Sequence, residues 1–380
     1  MTGLNNYNNL LKKYASNNFN YLGRQFSNKK NIYRSYYQRD RDRIIHSTSF
    51  RRLKYKTQVF VYHEGDHYRT RLTHTLEVSQ ISRSISRYLG LNEDLSEAIS
   101  LAHDLGHPPF GHAGEKILNQ CISNHGGFNH NVHSLRLVTE IEKAYQNYDG
   151  LDLSINTIDG LLKHNGPNYL INQYKDILPN LFKITKINFL KQSSLESQIS
   201  SLSDDIAYNN HDIEDGLRAG LFTLNEIKDL PIIKEAIKIK KNEFKSKKPL
   251  RNEIIRTMIN LMVTDLILQT KKNIKKNKIK NIKDIYNHTN FIVSFSEKFI
   301  KDNYQLRNFL KVNMYENKSV IKMTKQAEKI INKLYCYIVN HSKKFFSNNN
   351  KLKWGIERSA VDFIAGMTDK FAIDLYNQIK

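Results

Sequence analysis

The stretch Leu101-Ala-His-Asp-Leu-Gly-His-Pro-Pro-Phe-Gly-His112 sets three histidines and one aspartate at the end of an apolar helical pattern and in the Gly/Pro-rich loop after it. An adjacent His-Asp pair offers one nitrogen and one oxygen ligand, the mixed set that suits a hydrolytic divalent metal. Standing alone, such a dipeptide is more often two satisfied polar residues at a helix end, so further ligands must come from elsewhere in the chain. Upstream, Leu72, Leu76, Ile81, Ile85, Tyr88 and Leu89 repeat at helical spacing and stop at Gly90, a C-terminal signal. Asn92 is placed to cap a second helix whose apolar face is Leu95, Ala98, Ile99, Ala102 and Leu105, closing at Gly106. The two helices form an antiparallel pair. That pairing brings His74, near the start of the first, to His103-Asp104, near the end of the second.

Outward from this pair the pattern stays helical. It resumes around Glu115 to Cys121, from Ser134 to Tyr145, from Ile155 to Lys163 and from Leu195 to Leu217. In the last of these, Leu195, Ile199, Leu202, Ile206, Ile213 and Leu217 form one narrow stripe, while Asp204, Tyr208 and Asp212 follow at four-residue steps on another face. Two aspartates and a tyrosine can be a solvated face or can turn a carboxylate toward a metal. From Leu221 the chain reads as helices separated by Lys/Asn-rich runs, ending in Trp354 to Ile379. Few strands are suggested anywhere, apart from a brief extended piece at Val59 to Tyr62, so the fold class is all-α. Three parts are expected: a loosely held, asparagine-rich arm over 1–30, a core over 31–220, and a helical C-terminal part over 221–380 packed on that core.

The 380 residues carry 59 Lys and Arg against 37 Asp and Glu, a net charge of +22 that draws anions such as phosphorylated small molecules, nucleic acid or acidic membranes. Two runs, Lys238 to Arg251 and Lys271 to Lys283, hold much of the excess and read as solvated faces rather than nucleic-acid patches. Arginine is dense from Arg34: Arg39, Arg41, Arg43, Arg51 and Arg52, with Lys54 and Lys56 behind, a composition suited to phosphate because each guanidinium offers a planar fork of donors. The best apolar run, Ile254 to Leu268, is broken by Arg256, Asn260 and Asp265, so no membrane span is expected. Cys121 and Cys336 make neither a disulfide framework nor a metal motif. With no signal-peptide pattern at Met1 to Asn6, a cytoplasmic location is the expectation.

The order His74, His103-Asp104 and a distant Asp in Ser203-Asp-Asp-Ile-Ala-Tyr208 resembles the HD-domain phosphohydrolases. Arg39-Asp-Arg-Asp-Arg-Ile-Ile-His46, Phe50-Arg-Arg-Leu53, Lys56-Thr-Gln-Val59, Arg71-Leu-Thr-His74 and Ala365-Gly-Met-Thr-Asp369 narrow the resemblance to deoxyguanosinetriphosphate triphosphohydrolases and their deoxynucleotide relatives. The resemblance implies an HD-domain helical fold with additional helices. It also implies one divalent metal ion, open between Mn²⁺, Mg²⁺, Fe²⁺ and Zn²⁺, on His74, His103, Asp104 and Asp204. Asp204 or Asp205 can hold the last place, and the steps to Tyr208 and Asp212 favour Asp204. By the same resemblance His112 is the catalytic histidine, Glu115 its orienting carboxylate, and His107 and His130 assist on the phosphate side. His130, in Asn129-His-Asn-Val-His133, reads equally as a loop residue, and the family often carries glutamine where His133 stands. Arg71 would meet the phosphates, Gln58 and Asp212 the deoxyribose 3′ hydroxyl, and Tyr208 the sugar face.

The implied reaction is metal-dependent hydrolysis of a deoxynucleoside triphosphate, dGTP or another, to deoxynucleoside and triphosphate, by a homo-oligomer, often a hexamer. Two other readings stand beside it. One is a different HD hydrolase such as a nucleotidase; alarmone and cyclic-dinucleotide hydrolases fit less well, because no Glu-Asp pair and no Gly-Tyr-Pro motif follow His103-Asp104. The other is a basic protein that binds single-stranded nucleic acid on an HD scaffold.

Overall fold

The computed structural model describes residues 10–26, 33–58, 69–168, 170–243, 251–346 and 352–379. Among them the architecture is all-α. The helices that place the site are α1 (Tyr36–Ile45), α2 (Thr48–Arg52), α3 (Arg71–Leu89), α4 (Glu93–Ala102), α5 (Gly111–Cys121), α6 (His130–Arg136), α7 (Ile155–Leu162) and α8 (Leu195–Arg218). They are followed by α9 (Pro231–Glu243), α10 (Arg251–Lys276), α11 (Glu297–Leu310), α12 (Lys318–Asn340), α13 (Gly355–Ala365) and α14 (Asp369–Gln378). Extended pairing among the described residues is confined to two isolated bridges, Thr57 with Thr70 and Lys143 with Gly150. Val59 to Tyr62 lies outside the described residues.

The predicted hairpin forms as its end signals require. Thr70 caps α3 by accepting from Thr73 N, and Gly90 stops it with φ +69°, a conformation that costs glycine no Cβ clash. Asn92 then caps α4 by accepting from Leu95 N. The expected apolar stripe of α3 is only partly the buried one: Ile81, Ile85 and Leu89 face the core with Val78, whereas Leu76 and Tyr88 are exposed. Serines take the vacated inner positions, and their small side chains let α3, α4 and α8 approach closely. Ser82 Oγ lies 2.9 Å from Ser100 Oγ, which lies 2.9 Å from Ser200 Oγ. Each buried hydroxyl thus finds a partner, which removes most of the penalty of burying it.

Helix α8 is the axis. Leu195, Ile199, Ile206 and Ala207 join Val78, Ile81 and Ile85 of α3 and Met262 and Leu266 of α10 in one core cluster. Two turns beyond Ile206, Ile213 enters a second cluster with α9, α10 and α11. A third core joins α5 to α12, α13 and α14 through Ile117, Leu118, Ile331, Leu334, Val361 and Ile364. The first described residues are not the loose arm expected. Ser16 N and Oγ donate to the buried Glu196 of α8, at 2.8 and 3.1 Å, and Arg24 pairs with the buried Asp40 of α1. A buried carboxylate needs donors, and the N-terminal segment provides them.

The predicted helix over Ser134 to Tyr145 is instead α6 followed by a wider π-turn, Leu137–Ile141. The pattern over Trp354 to Ile379 divides into α13 and α14 at Gly366 to Thr368, where Thr368 caps α14 by accepting from Phe371 N. The described basic run at Lys271 to Lys283 is largely exposed, whereas residues 244–250 of the other lie outside the described residues. No helix among the described residues is long and apolar enough to cross a membrane.

Candidate active site

The antiparallel pairing of α3 and α4, with α8 laid across both, gathers side chains that lie far apart in the chain. His74 Nε2 sits 2.9 Å from Asp204 Oδ1, and His103 Nε2 lies 3.7 Å from the same oxygen. Asp104 borders this group, its Oδ1 3.5 Å from His103 Nε2, while its Oδ2 accepts from Arg71 Nη1 at 2.8 Å. The donor set fits a divalent cation on one observation in particular. His103 Nδ1 must donate to the Ser100 carbonyl 2.6 Å away, so its Nε2 carries the lone pair, and that buried nitrogen has no hydrogen-bond partner among the described residues. Asp204 keeps 28% of its side-chain surface open, while Asp205 turns away to Arg307 at 2.7 Å. Burial alone would raise the Asp104 pKa, yet His107, His103 and Arg71 hold the carboxyl well below its ordinary range. A charged carboxylate therefore borders the His74, His103 and Asp204 group.

A second cluster follows in the loop and α5. Glu115 Oε2 accepts from His112 Nδ1 at 3.1 Å, and its Oε1 accepts from the backbone N and Nδ1 of His130, both at 2.8 Å. Burial works against charge on Glu115, but the hydrogen bonds from His112 and His130 outweigh it and hold its pKa well below the ordinary range. His107 stacks on His130 with ring centroids 3.9 Å apart. Close packing brings them together: a Cβ on Gly106 would meet His130 O at 2.2 Å, so only glycine lets the loop pass α6.

Two clamps fix that loop to the C-terminal helices. The buried Lys56 Nζ donates to His107 O at 2.5 Å and to Ala365 O at 2.8 Å. Asp369 accepts from Phe110 N and Thr57 N, both at 3.0 Å, and from the Thr57 hydroxyl.

The third group lines up along α8. Tyr208 and Asp212 are joined by Tyr315, whose hydroxyl lies 2.8 Å from the Tyr208 hydroxyl and hydrogen-bonds Asp212. Burial and the nearby Asp215 carry the Asp212 pKa up to about 8, against the pull of Tyr315. Gln58 is buried, its Oε1 without a partner among the described residues. Arg71 is only 2% exposed and committed to Asp104. His133 belongs to none of these groups: it is buried against Phe128 and 3.6 Å from Asp362.

Family models place these features. The HD domain model matches residues 71–209, and the phosphohydrolase-associated domain model matches residues 293–378. A deoxyguanosinetriphosphate triphosphohydrolase-like protein of Pelagibacter ubique (strain HTCC1062) is 51% identical over 374 residues, covering 98% of this chain and 99% of its own. This chain belongs to the deoxyguanosinetriphosphate triphosphohydrolase-like family of HD-domain proteins. Members from Rickettsia typhi (strain ATCC VR-144 / Wilmington) and Brucella suis (strain ATCC 23445 / NCTC 10510) are each 42% identical, covering 97% and 95% of this chain. An HD phosphohydrolase is thus the coarse chemistry of this triphosphohydrolase-like chain, and the divalent-metal habit of HD domains agrees with the His74, His103 and Asp204 group.

Four residues at the site carried no reading in the sequence. His164 Nε2 lies 3.3 Å from Asp204 Oδ2, and its ring stacks at 5.4 Å on His103. His211 Nδ1 lies 3.2 Å from His74 Nδ1 while its Nε2 bonds Glu77. Tyr315 completes the Tyr208–Asp212 group. His211 could have been found, because it stands seven residues, two turns, after Asp204 on the same helix. Glu77, three residues after His74, had the same kind of signal. His164 and Tyr315 arrive from other segments and had none.

Proposed function

We propose that this protein hydrolyses deoxynucleoside triphosphates, cutting between the 5′ oxygen and the α-phosphorus to release a deoxynucleoside and intact triphosphate. The observation that supports it best is the adjacency of the His74, His103, Asp104 and Asp204 group to the His112–Glu115–His130 cluster. Ligands for a cation and a proton donor then stand on the two sides of one scissile bond.

A bound divalent ion, Mn²⁺, Mg²⁺, Fe²⁺ or Zn²⁺, would act there as a Lewis acid on the phosphate and acidify a water. Arg71 keeps Asp104 charged and oriented, and it can extend a second donor toward phosphate. Water adds to the α-phosphorus as the bond to the 5′ oxygen breaks, so that oxygen needs a proton. His112 supplies it, its ring turned by the Glu115 contact at Nδ1 so that Nε2 faces outward. His107 and His130 stand on the triphosphate side. At the other end Tyr208 packs against the deoxyribose and excludes a 2′ hydroxyl, while Gln58 and Asp212 address the 3′ hydroxyl.

The test is incubation with each deoxynucleotide and its ribonucleotide counterpart in the presence of a divalent metal, with ion-exchange separation of products. Tripolyphosphate and deoxynucleoside are expected, with ribonucleotides turned over poorly. Orthophosphate or pyrophosphate as the first product would overturn the reading in favour of another HD hydrolase.

A further inference from the structure

Proton delivery needs only His112 and Glu115, yet two further imidazoles converge on the same point. His107, Glu115 and His130 are drawn from the loop, from α5 and from the start of α6, and with His112 each offers one ligand-capable atom within 4.8 Å of all the others. Three nitrogens and one carboxylate oxygen are a complete tetrahedral set for a borderline ion such as Zn²⁺, whose ligand atoms stand about 3.4 Å apart when bound. His107 is the decisive member. Only 3% of it is exposed, its Nδ1 lies 3.0 Å from Asp104 Oδ1, and neither ring nitrogen has a well-formed hydrogen bond among the described residues. A proton on Nδ1 facing Asp104 leaves Nε2 with a buried lone pair that nothing among the described residues satisfies. Asp104 stands behind His107, and a carboxylate on the ring nitrogen away from the ion is the usual support of a metal-bound histidine.

We infer that His107, His112, Glu115 and His130 form a second, closed transition-metal site that takes Zn²⁺ and, when filled, shuts the enzyme off. The inhibitory consequence rests on the triphosphohydrolase reading, because the ion would take the lone pairs of the proton donor and occupy the place of the triphosphate. The metal site itself does not rest on that reading. The two centres differ in kind: His74, His103, Asp104 and Asp204 mix two nitrogens with two carboxylates and leave positions open, whereas the second set is nitrogen-rich and closes on itself. Asp104 touches both, so the first centre and the second are coupled through one carboxylate.

The full-length protein, stripped by chelation, is titrated with Co²⁺ and followed by visible absorption and calorimetry. Two equivalents are expected, one of them giving the intense bands of four-coordinate Co²⁺. Those bands disappear in Glu115→Ala and in His112→Ala, with that equivalent weakened by at least about tenfold, and persist in Asp204→Ala, which loses the other equivalent. His112 is 63% exposed, so its variant tests the site without a folding burden. A single equivalent in the wild type, or bands that survive in His112→Ala and Glu115→Ala or vanish only in Asp204→Ala, overturns the site. In a separate arm, Zn²⁺ added to the Mn²⁺-loaded protein is expected to stop deoxynucleotide turnover, and chelation to restore it. Full turnover with the second site filled overturns the inhibitory role. Absence of any turnover refutes the triphosphohydrolase reading and leaves the Co²⁺ result standing.

Discussion

His74 presents Nε2 to Asp204 because of what holds its other nitrogen. Burial lowers the pKa of His211 to about 4, so its ring is neutral, and its Nε2 donates to Glu77. Its Nδ1 is then an acceptor for the proton on His74 Nδ1, 3.2 Å away, which leaves the His74 Nε2 lone pair free for a cation. Replacing His211 by Ala is expected to weaken Mn²⁺ binding by about 10–100-fold. Calorimetric titration checks this, and an unchanged affinity would remove the role. Asp212 yields a pH prediction. With a folded pKa near 8 and an ordinary value of 3.8, it keeps its proton in the folded state while the unfolded chain loses it between about pH 4 and 8. The folded state binds more protons there, so this carboxyl makes stability fall as pH rises, by up to about 1.4 kcal/mol per pH unit. Asp212→Asn should flatten that part of the profile, measured by urea unfolding at about pH 5, 6 and 7, within the window. A variant with the wild-type slope would assign the titration elsewhere.

Among the elements, the loop between α4 and α5 is the one on which the clusters depend, and its shape is imposed from outside. Phe110 adopts φ +61°, unusual for a residue with a Cβ, and its N–H is taken by Asp369 at the start of α14. Removing Asp369 leaves buried donors at Thr57 and Phe110 without an acceptor, at about 1–3 kcal/mol each. Asp369→Ala is therefore expected to lower stability by about 3 kcal/mol and to cut turnover more than metal binding, since His107 and His112 hang from this loop whereas His74 and Asp204 do not. Equal losses of turnover and metal affinity in titrations of the folded variant would contradict it. The Ala365 to Asp369 motif, read in the sequence only as a likeness, thus has a mechanical job at the far end of the chain.

Across the whole molecule the charge is +22, a field that would draw the polyanionic substrate proposed above. Exposed lysines at Lys271, Lys272, Lys275 and Lys276 contribute to this field without touching the site. Long-range attraction of this kind is screened over about 8 Å at physiological ionic strength. Raising NaCl from low to physiological concentration should lower kcat/KM for a deoxynucleoside triphosphate severalfold while changing kcat little. A salt-independent kcat/KM would show that this field does not steer the substrate. Among the arginines near the N-terminus, Arg24 is tied to Asp40 and Arg43 to Asp152, and Arg43 also joins Arg39, Arg51, His46 and Lys143 in lining a cavity of about 590 Å³ that includes none of the metal-cluster residues.

Helical periodicity, the stops at Gly90 and Gly106 and the cap at Asn92 are local properties, and they determined by themselves the all-α class and the hairpin that brings His74 to His103-Asp104. The four-residue steps in Asp204, Tyr208 and Asp212 likewise needed no structure, because side-chain direction on a helix follows from its pitch. Local rules say nothing about which segment crosses which. Tertiary structure alone decided that His164 and Tyr315 reach α8, that serines rather than Leu76 and Tyr88 line the inner face of α3, and that Ser16 and Arg24 anchor a segment whose composition read as loose. It alone also showed that, among the described residues, the buried lone pair of His107 meets no donor. Those outcomes depend on close packing and on satisfying buried polar atoms across long separations in the chain, and both are settled only when all the helices are in place.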